Sequence, residues 1–286
     1  MWNRADLTRR CVESLREQTV PFDRIVVVDD GSTEPYAGPD VIRLPQNSGF
    51  AAAVNAGWRA AETTHIAVVN NDVRLEAGWL EAVLAAGGWF ATGKLYGPTG
   101  LLDGTFDLLS RGGFPWRAGH GRVDGPRWNE PREIAMASFT AVLLRTELRE
   151  RIGYLDEEFG TYLEDVDFGV RCRKAGLSGR YVPGAMGVHE GSATAGAWSE
   201  FATRQMATNQ ARLVAKHWGG RDRWAVGVAR VLWKLLARRN GKRATFPVFP
   251  TMPSEPFATD DALIAALQQA TGTDTFWRWY FRLVRG

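Results

Sequence analysis

Only two cysteines, Cys11 and Cys172, occur in 286 residues, and neither belongs to a C-x-x-C pair. That excludes a disulfide framework and suits a reduced, cytoplasmic setting. Long apolar runs are missing too. The best stretch, Trp224 to Ala237, is broken by Arg230 and Lys234 and is too short to span a bilayer. No signal-peptide pattern opens the chain. Overall charge of one sign is slight, with a formal net charge of +3, although Arg and Lys gather after residue 200. Those basic residues are helical and carry no recognised module, so nucleic acid is not an expected partner. What the chain does have is 45% hydrophobic and 23% charged residues. That is enough to bury a large core as one big domain or one and a half. Its 12 Trp are a high count.

The first third alternates. Asn3 can cap a helix in which Leu7, Cys11, Val12 and Leu15 face inward, and Pro21 ends that region. Arg24 to Val28 reads as a buried strand ending in Asp29-Asp30-Gly31-Ser32. Val41 to Leu44 is a second strand. Asn47-Ser48-Gly49-Phe50 then leads into a helix from Ala51 to about Ala61. His65 to Val69 is a third strand, ending in Asn70-Asn71-Asp72, with a helix from Glu76 to Ala86 behind it. This β-α-β-α order predicts a doubly wound α/β sheet. The polar clusters at the strand ends should then converge on one crevice, where such sheets bind ligands. Each cluster also has a plainer reading. Asp-Gly makes turns unaided, and Gly49 could serve only a tight turn. From Gly87 to Glu133 the Gly-rich, aromatic sequence reads as loops and short strands walling a pocket, where Trp116 and His120 could stack on a sugar or acceptor but read more plainly as packing residues. Ile134 to Leu144 follows as a strand, and Glu147 to Ile152 as a short helix.

The densest chemistry lies between Gly153 and His189. Glu164, Asp165 and Asp167 open a helix whose Val166, Val170, Cys172 and Leu177 recur about once per turn, and Gly176 stops it. Acids at a helix start are stabilised there by unpaired N–H groups, which is a sufficient reason for them on its own. Arg171 and Arg173 can pair with them or form a solvated face. A strand from Gly179 to Pro183 leads to His189 beside Glu190, and Ser192 and Thr194 fall in the loop that follows. His65, His120 and His217 read as ordinary structural histidines. Helices are expected at Ala197 to Trp218 and Asp222 to Arg239. A linker marked by Pro247, Pro250, Pro253 and Pro256 precedes a helix from Asp260 to Ala270 capped by Thr259. Val226, Val228, Val231, Leu232, Leu235 and Leu236 alternate with Arg and Lys. Such helices fit a membrane interface, and fit equally well packing on a catalytic domain or a homodimer contact.

Five segments in order, VVVDDGST, NSGFAAAVNAG, VVNNDV, GYLDEEFGTYLEDVDFGVRCRKAG and VPGAMGVHEGSAT, resemble the family 2 glycosyltransferases of the GT-A fold. The likeness covers roughly residues 3 to 195 and is nearest to the bacterial rhamnosyl- and galactofuranosyltransferase-like branch. It implies a GT-A catalytic domain over 1–195, with a nucleotide-sugar half (1–96) and an acceptor and catalytic half (97–195), followed by a helical region over 196–286. It implies inverting transfer of a sugar from a nucleotide-sugar donor, UDP- or dTDP-linked, to a saccharide or lipid-linked acceptor in cell-surface polysaccharide or glycolipid synthesis. A place on the inner face of the plasma membrane would suit that. By the same resemblance, Asp29 and Asp30 contact the base and ribose, and Asn47, Gly49 and Asn55 line the donor site. The family's D-x-D is here Asn70-Asn71-Asp72, in which Asp72 is the metal ligand and His189 the second one. Asp165 takes the catalytic base position, with Glu164 orienting it or touching the acceptor. Asp167 is left to stabilise the helix. Two departures stand out. The family's opening strand has no counterpart here, so a weakened nucleotide pocket is expected. Phe139-Thr140 occupies the place of a Gly-rich turn near the acceptor.

The set makes chemical sense. A divalent cation stabilises a departing diphosphate without proton transfer. Mg²⁺ takes few protein carboxylates plus phosphates, and an imidazole ligand makes Mn²⁺ at least as suitable. A carboxylate held by N–H groups can accept the acceptor's proton. A glycoside hydrolase also uses two carboxylates but needs no nucleotide crevice. A nucleotidyltransferase would release pyrophosphate, and a non-catalytic binding module would not turn over.

Overall fold

The computed structural model describes residues 1–190 and 198–284. Ser192, Thr194 and the start of the expected 197–218 helix lie outside the described residues. The chain divides into two compact units, one of residues 1–107 and 119–191, the other of 108–118 and 192–286.

In the first unit, α1 (Ala5–Arg16), β1 (Val27–Asp29), β2 (Val41–Arg43), α2 (Phe50–Arg59) and β3 (His65–Val69) follow the expected order. A strand that periodicity did not predict comes next, β4 (Val73–Leu75), and then α3 (Trp79–Ala86) and β5 (Phe90–Tyr96). The stretch expected to be loops and short strands therefore contains a seven-residue interior strand of the sheet. Its Lys94 and Thr92 hide the apolar signal, because both polar side chains are buried. After β6 (Leu102–Gly104) the chain makes a hairpin, β7 (Asp107–Leu109) and β8 (Pro115–Arg117). It then returns as β9 (Arg132–Ile134), β10 (Ala141–Arg145), α4 (Leu148–Ile152), α5 (Glu164–Lys174) and β11 (Gly179–His189).

The main sheet runs β3-β10-β5-β11-β4, with β6 added beside β5 and β9 beside β11. It is mixed. β5 and β11 are parallel, as are β1 and β2 in a separate pair, while β10 runs antiparallel between β3 and β5. The α/β class expected from the alternation holds. The backbone of Met1 flanks the β1 end, accepting from the Asp30 N–H at 2.8 Å. Under the sheet, Trp79, Leu80 and Val83 of α3 pack with Val73, Leu75, Ala91, Leu95 and Leu143.

β11 does not stop at Pro183 as the sequence suggests. Its pairing with β5 shifts register between Tyr181 and Met186, and Pro183, which cannot donate to a ladder, sits in that irregularity. Gly93 of β5 makes room for it. A Cβ there would lie 1.8 Å from the Ala185 carbonyl oxygen. Past the shift the strand resumes and carries His189 to the edge beside Val73.

The second unit holds α6 (Glu200–His217), α7 (Arg223–Arg239), α8 (Asp261–Thr271), α9 (Thr275–Val284) and the tip of the β7–β8 hairpin. Buried polar groups fasten that tip. The Leu109 N–H donates to Asp260 (2.8 Å), the Gly112 N–H to the Tyr280 hydroxyl (2.9 Å), and Trp218 Nε1 to the Arg111 carbonyl (2.9 Å). Asp260, not Thr259, is the residue ahead of α8, and its carboxylate serves the hairpin instead of capping the helix. Trp116 is buried in this unit, while Phe114 stacks on Trp233 with centroids 5.0 Å apart.

Candidate functional site

Three strand ends and one helix start supply the polar residues of the first unit. At the end of β1, Asp29 is fully buried. It accepts from the Ser32 N–H (3.0 Å) and from Arg43 Nη1 (3.3 Å). Asp30 accepts from the Ser48 N–H (2.7 Å) and the Gly49 N–H (2.9 Å). The pair therefore fastens the β1 turn to the loop before α2. Asn47 lies exposed in that loop. Gly49 precedes α2 with φ 91°, and a Cβ on it would lie 2.9 Å from the Gly160 backbone. Only glycine allows both this conformation and this approach. Asn55 is spent on packing. Its amide donates to the Leu155 carbonyl (2.9 Å) and to Glu157 (2.8 Å), and its oxygen accepts from the Leu155 N–H (3.0 Å). It braces the loop ahead of α5.

The turn between β3 and β4 carries Asn70, Asn71 and Asp72. Asn71 Nδ2 donates to Thr8 (3.2 Å), and the side-chain oxygen of Asn70 is buried without a hydrogen-bond partner. Asp72 Oδ1 is likewise buried and accepts no hydrogen bond, yet His189 Nε2 stands 3.3 Å from it. β4 and β11 bring the two residues together although they are distant along the chain, because His189 pairs with Val73. The other imidazole nitrogen, Nδ1, lies 2.9 Å from Asp103 Oδ2 on β6. Burial alone would lower the His189 pKa, but its contacts with Asp103 and Asp72 override that and raise it to about 9. Asp103 had no signal in the sequence. It is a lone acid in a Gly-rich region without periodicity, and only the pairing of β6 with β5 places it here.

The start of α5 presents the acids. Tyr162 and Leu163, both non-glycine, adopt left-handed conformations with φ 73° and 68° just before it. Consecutive residues in that region mark a constrained entry, held by its surroundings. Asp165 accepts from the Val166 N–H (2.8 Å) at Oδ1 and from the Phe139 N–H (3.3 Å) at Oδ2. Asp167 is buried and paired with Arg171 Nε (2.9 Å), whose other nitrogens donate to the Ile152 and Tyr154 carbonyls. Asp167 thus stabilises the helix and its entry loop, as expected, and Arg171 is a pairing residue, not a solvated one. Glu164 is buried with Oε2 unpartnered. Burial first, and then the neighbouring Asp165 and Asp167, push its pKa well up.

That shift carries a sign. A carboxyl raised in the folded state is easily accommodated below the ordinary Glu value, and costs stability as pH climbs through the raised one. Glu164→Gln, neutral throughout, should therefore melt above the wild type at pH 8, by about 2–4 °C for each kcal/mol of relieved penalty. The difference should vanish near pH 4. Thermal melts across that pH range check it, and an equal offset at both ends would refute it.

One dipeptide joins these parts. The Thr140 carbonyl accepts from the Asn70 N–H (2.9 Å), while the Phe139 N–H donates to Asp165. The turn bearing Asp72 and the start of α5 thus meet at Phe139-Thr140, with His189 held on the Asp72 side. Among the described residues no group of three His, Cys, Asp or Glu side chains is placed to hold a metal ion. Asp72 and His189 form a pair, and their donor set fits a hard-to-borderline divalent cation that takes its other ligands from phosphate and water. Asp29, Asp30 and Asn55 are engaged by the chain's own groups. Asp103 also meets a second histidine, because His120 Nδ1 donates to the Asp103 backbone carbonyl at 2.8 Å.

The profile described as "Glycosyl transferase family 2" matches residues 1–87, and that described as "Glycosyl transferase family group 2" matches residues 133–282. A pre-mycofactocin glycosyltransferase of Mycobacterium tuberculosis is 31% identical over 205 residues, 66% of this chain and 41% of that protein. An N-acetylglucosaminyl-diphospho-decaprenol L-rhamnosyltransferase of the same species is 31% identical over 202 residues, 58% of this chain and 66% of the relative. Among solved structures, GalNAc-T7 with UDP, GalNAc and Mn²⁺ superposes with a TM-score of 0.61 at 13% identity, covering 98% of this chain and 54% of that one. That last likeness is one of fold.

Proposed function

Since the chain belongs to the family 2 glycosyltransferases and has a GT-A-like α/β fold, we propose that it moves a sugar from a nucleoside diphosphate sugar to an acceptor hydroxyl, with inversion. The observation that carries this reading is the junction at Phe139-Thr140. It ties the turn that carries Asp72, which stands 3.3 Å from His189, to the start of α5, which carries Asp165.

Asp72 and His189 are the residues that would hold Mn²⁺ or Mg²⁺, and such an ion offsets charge developing on a departing diphosphate. Asp103 keeps a proton on His189 Nδ1 and so leaves Nε2 facing Asp72, the usual arrangement for a ligating histidine. Asp165 is the general base. Its oxygens accept from the Val166 and Phe139 N–H groups, which hold the carboxylate at the start of α5, and a carboxylate so held is suited to taking the acceptor's proton. Glu164 is buried beside it, with its pKa pushed upward by burial first and then by Asp165 and Asp167. A single base and no protein nucleophile give inversion. Asp30 and Gly49 shape the loop that would face the nucleotide, with Asp29 holding its turn.

The donor reading is a UDP- or dTDP-sugar, and the acceptor a saccharide or lipid-linked glycan of the cell surface. The likeness to a rhamnosyltransferase whose name specifies a diphospho-decaprenol acceptor supports the latter. Buried free cysteines agree with work on the cytoplasmic side of the membrane.

A donor screen tests the proposal. Incubated with Mn²⁺ and UDP-, dTDP- or GDP-sugars, the protein should release the nucleoside diphosphate from one of them, faster with an acceptor glycan present. Release of pyrophosphate would instead indicate a nucleotidyltransferase, and tight donor binding without turnover a non-catalytic module.

A further inference from the structure

A helix packed on one side normally turns its apolar residues inward. α7 does so with Ala225, Val226 and Ala229, yet its outer face is apolar as well. Trp224, Val231 and Leu235 are 70%, 57% and 54% exposed and share one stripe along the helix. α9 repeats the pattern. Trp277, Tyr280 and Val284 are buried, while Trp279 and Leu283 are 48% and 47% exposed on the opposite face. The two helices pack together, and Trp224 Nε1 donates to the Leu283 carbonyl at 3.3 Å, so the stripes meet in one surface.

Basic residues dominate the rim of that surface, with Asp222 and Asp274 standing just ahead of the two helices. Every charged residue from 223 to 254 is basic. On α7, Arg223, Lys234 and Arg238 border the stripe on one side and Arg239 on the other. On α9, Arg278 and Arg282 do the same, with the Arg282 guanidinium 5.4 Å from the Trp279 ring centre.

We propose that this α7–α9 face seats the chain on the surface of a bilayer rich in anionic lipid. Exposed Trp and Leu enter the headgroup boundary, and the surrounding Arg and Lys meet lipid phosphates. Among the described residues no helix is long and apolar enough to cross a membrane, so the contact is one of surface seating. Charge decides against a second copy of the chain here. A two-fold interface through this face would set the basic rim against itself. The proposal deepens the reading of a lipid-linked acceptor, but vesicle binding requires no sugar transfer, so the two can fail separately.

The test is sedimentation of the full chain with equimolar phosphatidylcholine–phosphatidylglycerol vesicles and with phosphatidylcholine alone. The expected result is binding to the anionic vesicles, weakened about tenfold or more on neutral ones or in high salt. Two variants, Trp224→Ser with Trp279→Ser and Arg238→Glu with Arg282→Glu, should each lose about tenfold or more. Their circular dichroism, melting temperature and nucleoside diphosphate release from soluble substrates should stay those of the wild type. No binding to anionic vesicles by the wild type, or undiminished binding by both variants, would overturn the proposal. So would light scattering that reveals a dimer dissolved by the Trp pair.

Discussion

Asp165→Asn is expected to slow sugar transfer by about 10²–10⁴-fold while leaving donor binding intact, the range typical of removing a general base. The substitution preserves shape, and its amide oxygen can still accept from the Val166 N–H. What disappears is the proton acceptor, together with the hydrogen bond from the Phe139 N–H, which an amide nitrogen cannot accept. The α5 entry should persist, because the Asp167–Arg171 pair and its grip on the 152–154 loop are untouched. Steady-state rates of nucleoside diphosphate release, with the donor KM alongside, distinguish this from misfolding. A kcat within a few-fold of wild type would remove Asp165 from the mechanism. Asp167→Asn makes the converse control. It breaks a buried ion pair, so its effect should fall chiefly on stability, about 3–5 kcal/mol, with kcat of the surviving folded protein near normal.

The second large effect concerns the cation. If Asp72 and His189 hold the ion as proposed, Asp72→Ala and His189→Ala should each reduce Mn²⁺ affinity by about 100-fold or more. Asp103→Asn should reduce it about 10–100-fold, as expected for a group that orients a ligand without touching the ion. Free Mn²⁺ followed by electron paramagnetic resonance reads this without turnover. The three variants should rank in that order, and in donor-dependent activity they should fall together. If all three bound Mn²⁺ as the wild type does, the ion would have to sit elsewhere. Asp103→Asn is the more discriminating member. A purely structural aspartate there would change the melting temperature and leave the affinity alone.

How far the sequence foretold these arrangements depended on whether a residue's environment is local. α2, α5 and α7 were legible because their apolar residues recur with the period of their own backbone, and β3 because it is a short unbroken apolar run. β5 was not. Lys94 lies buried in it, neutralised by Asp124 at 2.9 Å, and a lysine inside a core strand breaks the pattern a reader searches for. β11 was cut short at Pro183 because the residue that tolerates its irregularity, Gly93, lies on another strand. Among the candidate residues, Asp72, His189 and Asp165 were marked by motif, and their neighbourhood follows from pairings between β4, β11 and the 139–140 backbone. Asn55 was marked by the same motifs, yet it is occupied as a brace between α2 and the α5 entry loop. A motif fixes which residue recurs, not which way its side chain is engaged. Asp103 needed the β5–β6 pairing to be seen at all.

The Phe139-Thr140 link has a mechanical consequence. Phe139 also packs edge-on against Phe168 of α5, with ring centres 5.4 Å apart, so backbone and side chain are anchored to the same helix. A shift of that helix would pull on the loop carrying Asp72 through the Thr140–Asn70 hydrogen bond, so the two segments would tend to move together. On the proposed reading, a shared anchor of this kind would steady the spacing of the two carboxylates without requiring that the whole sheet stand still.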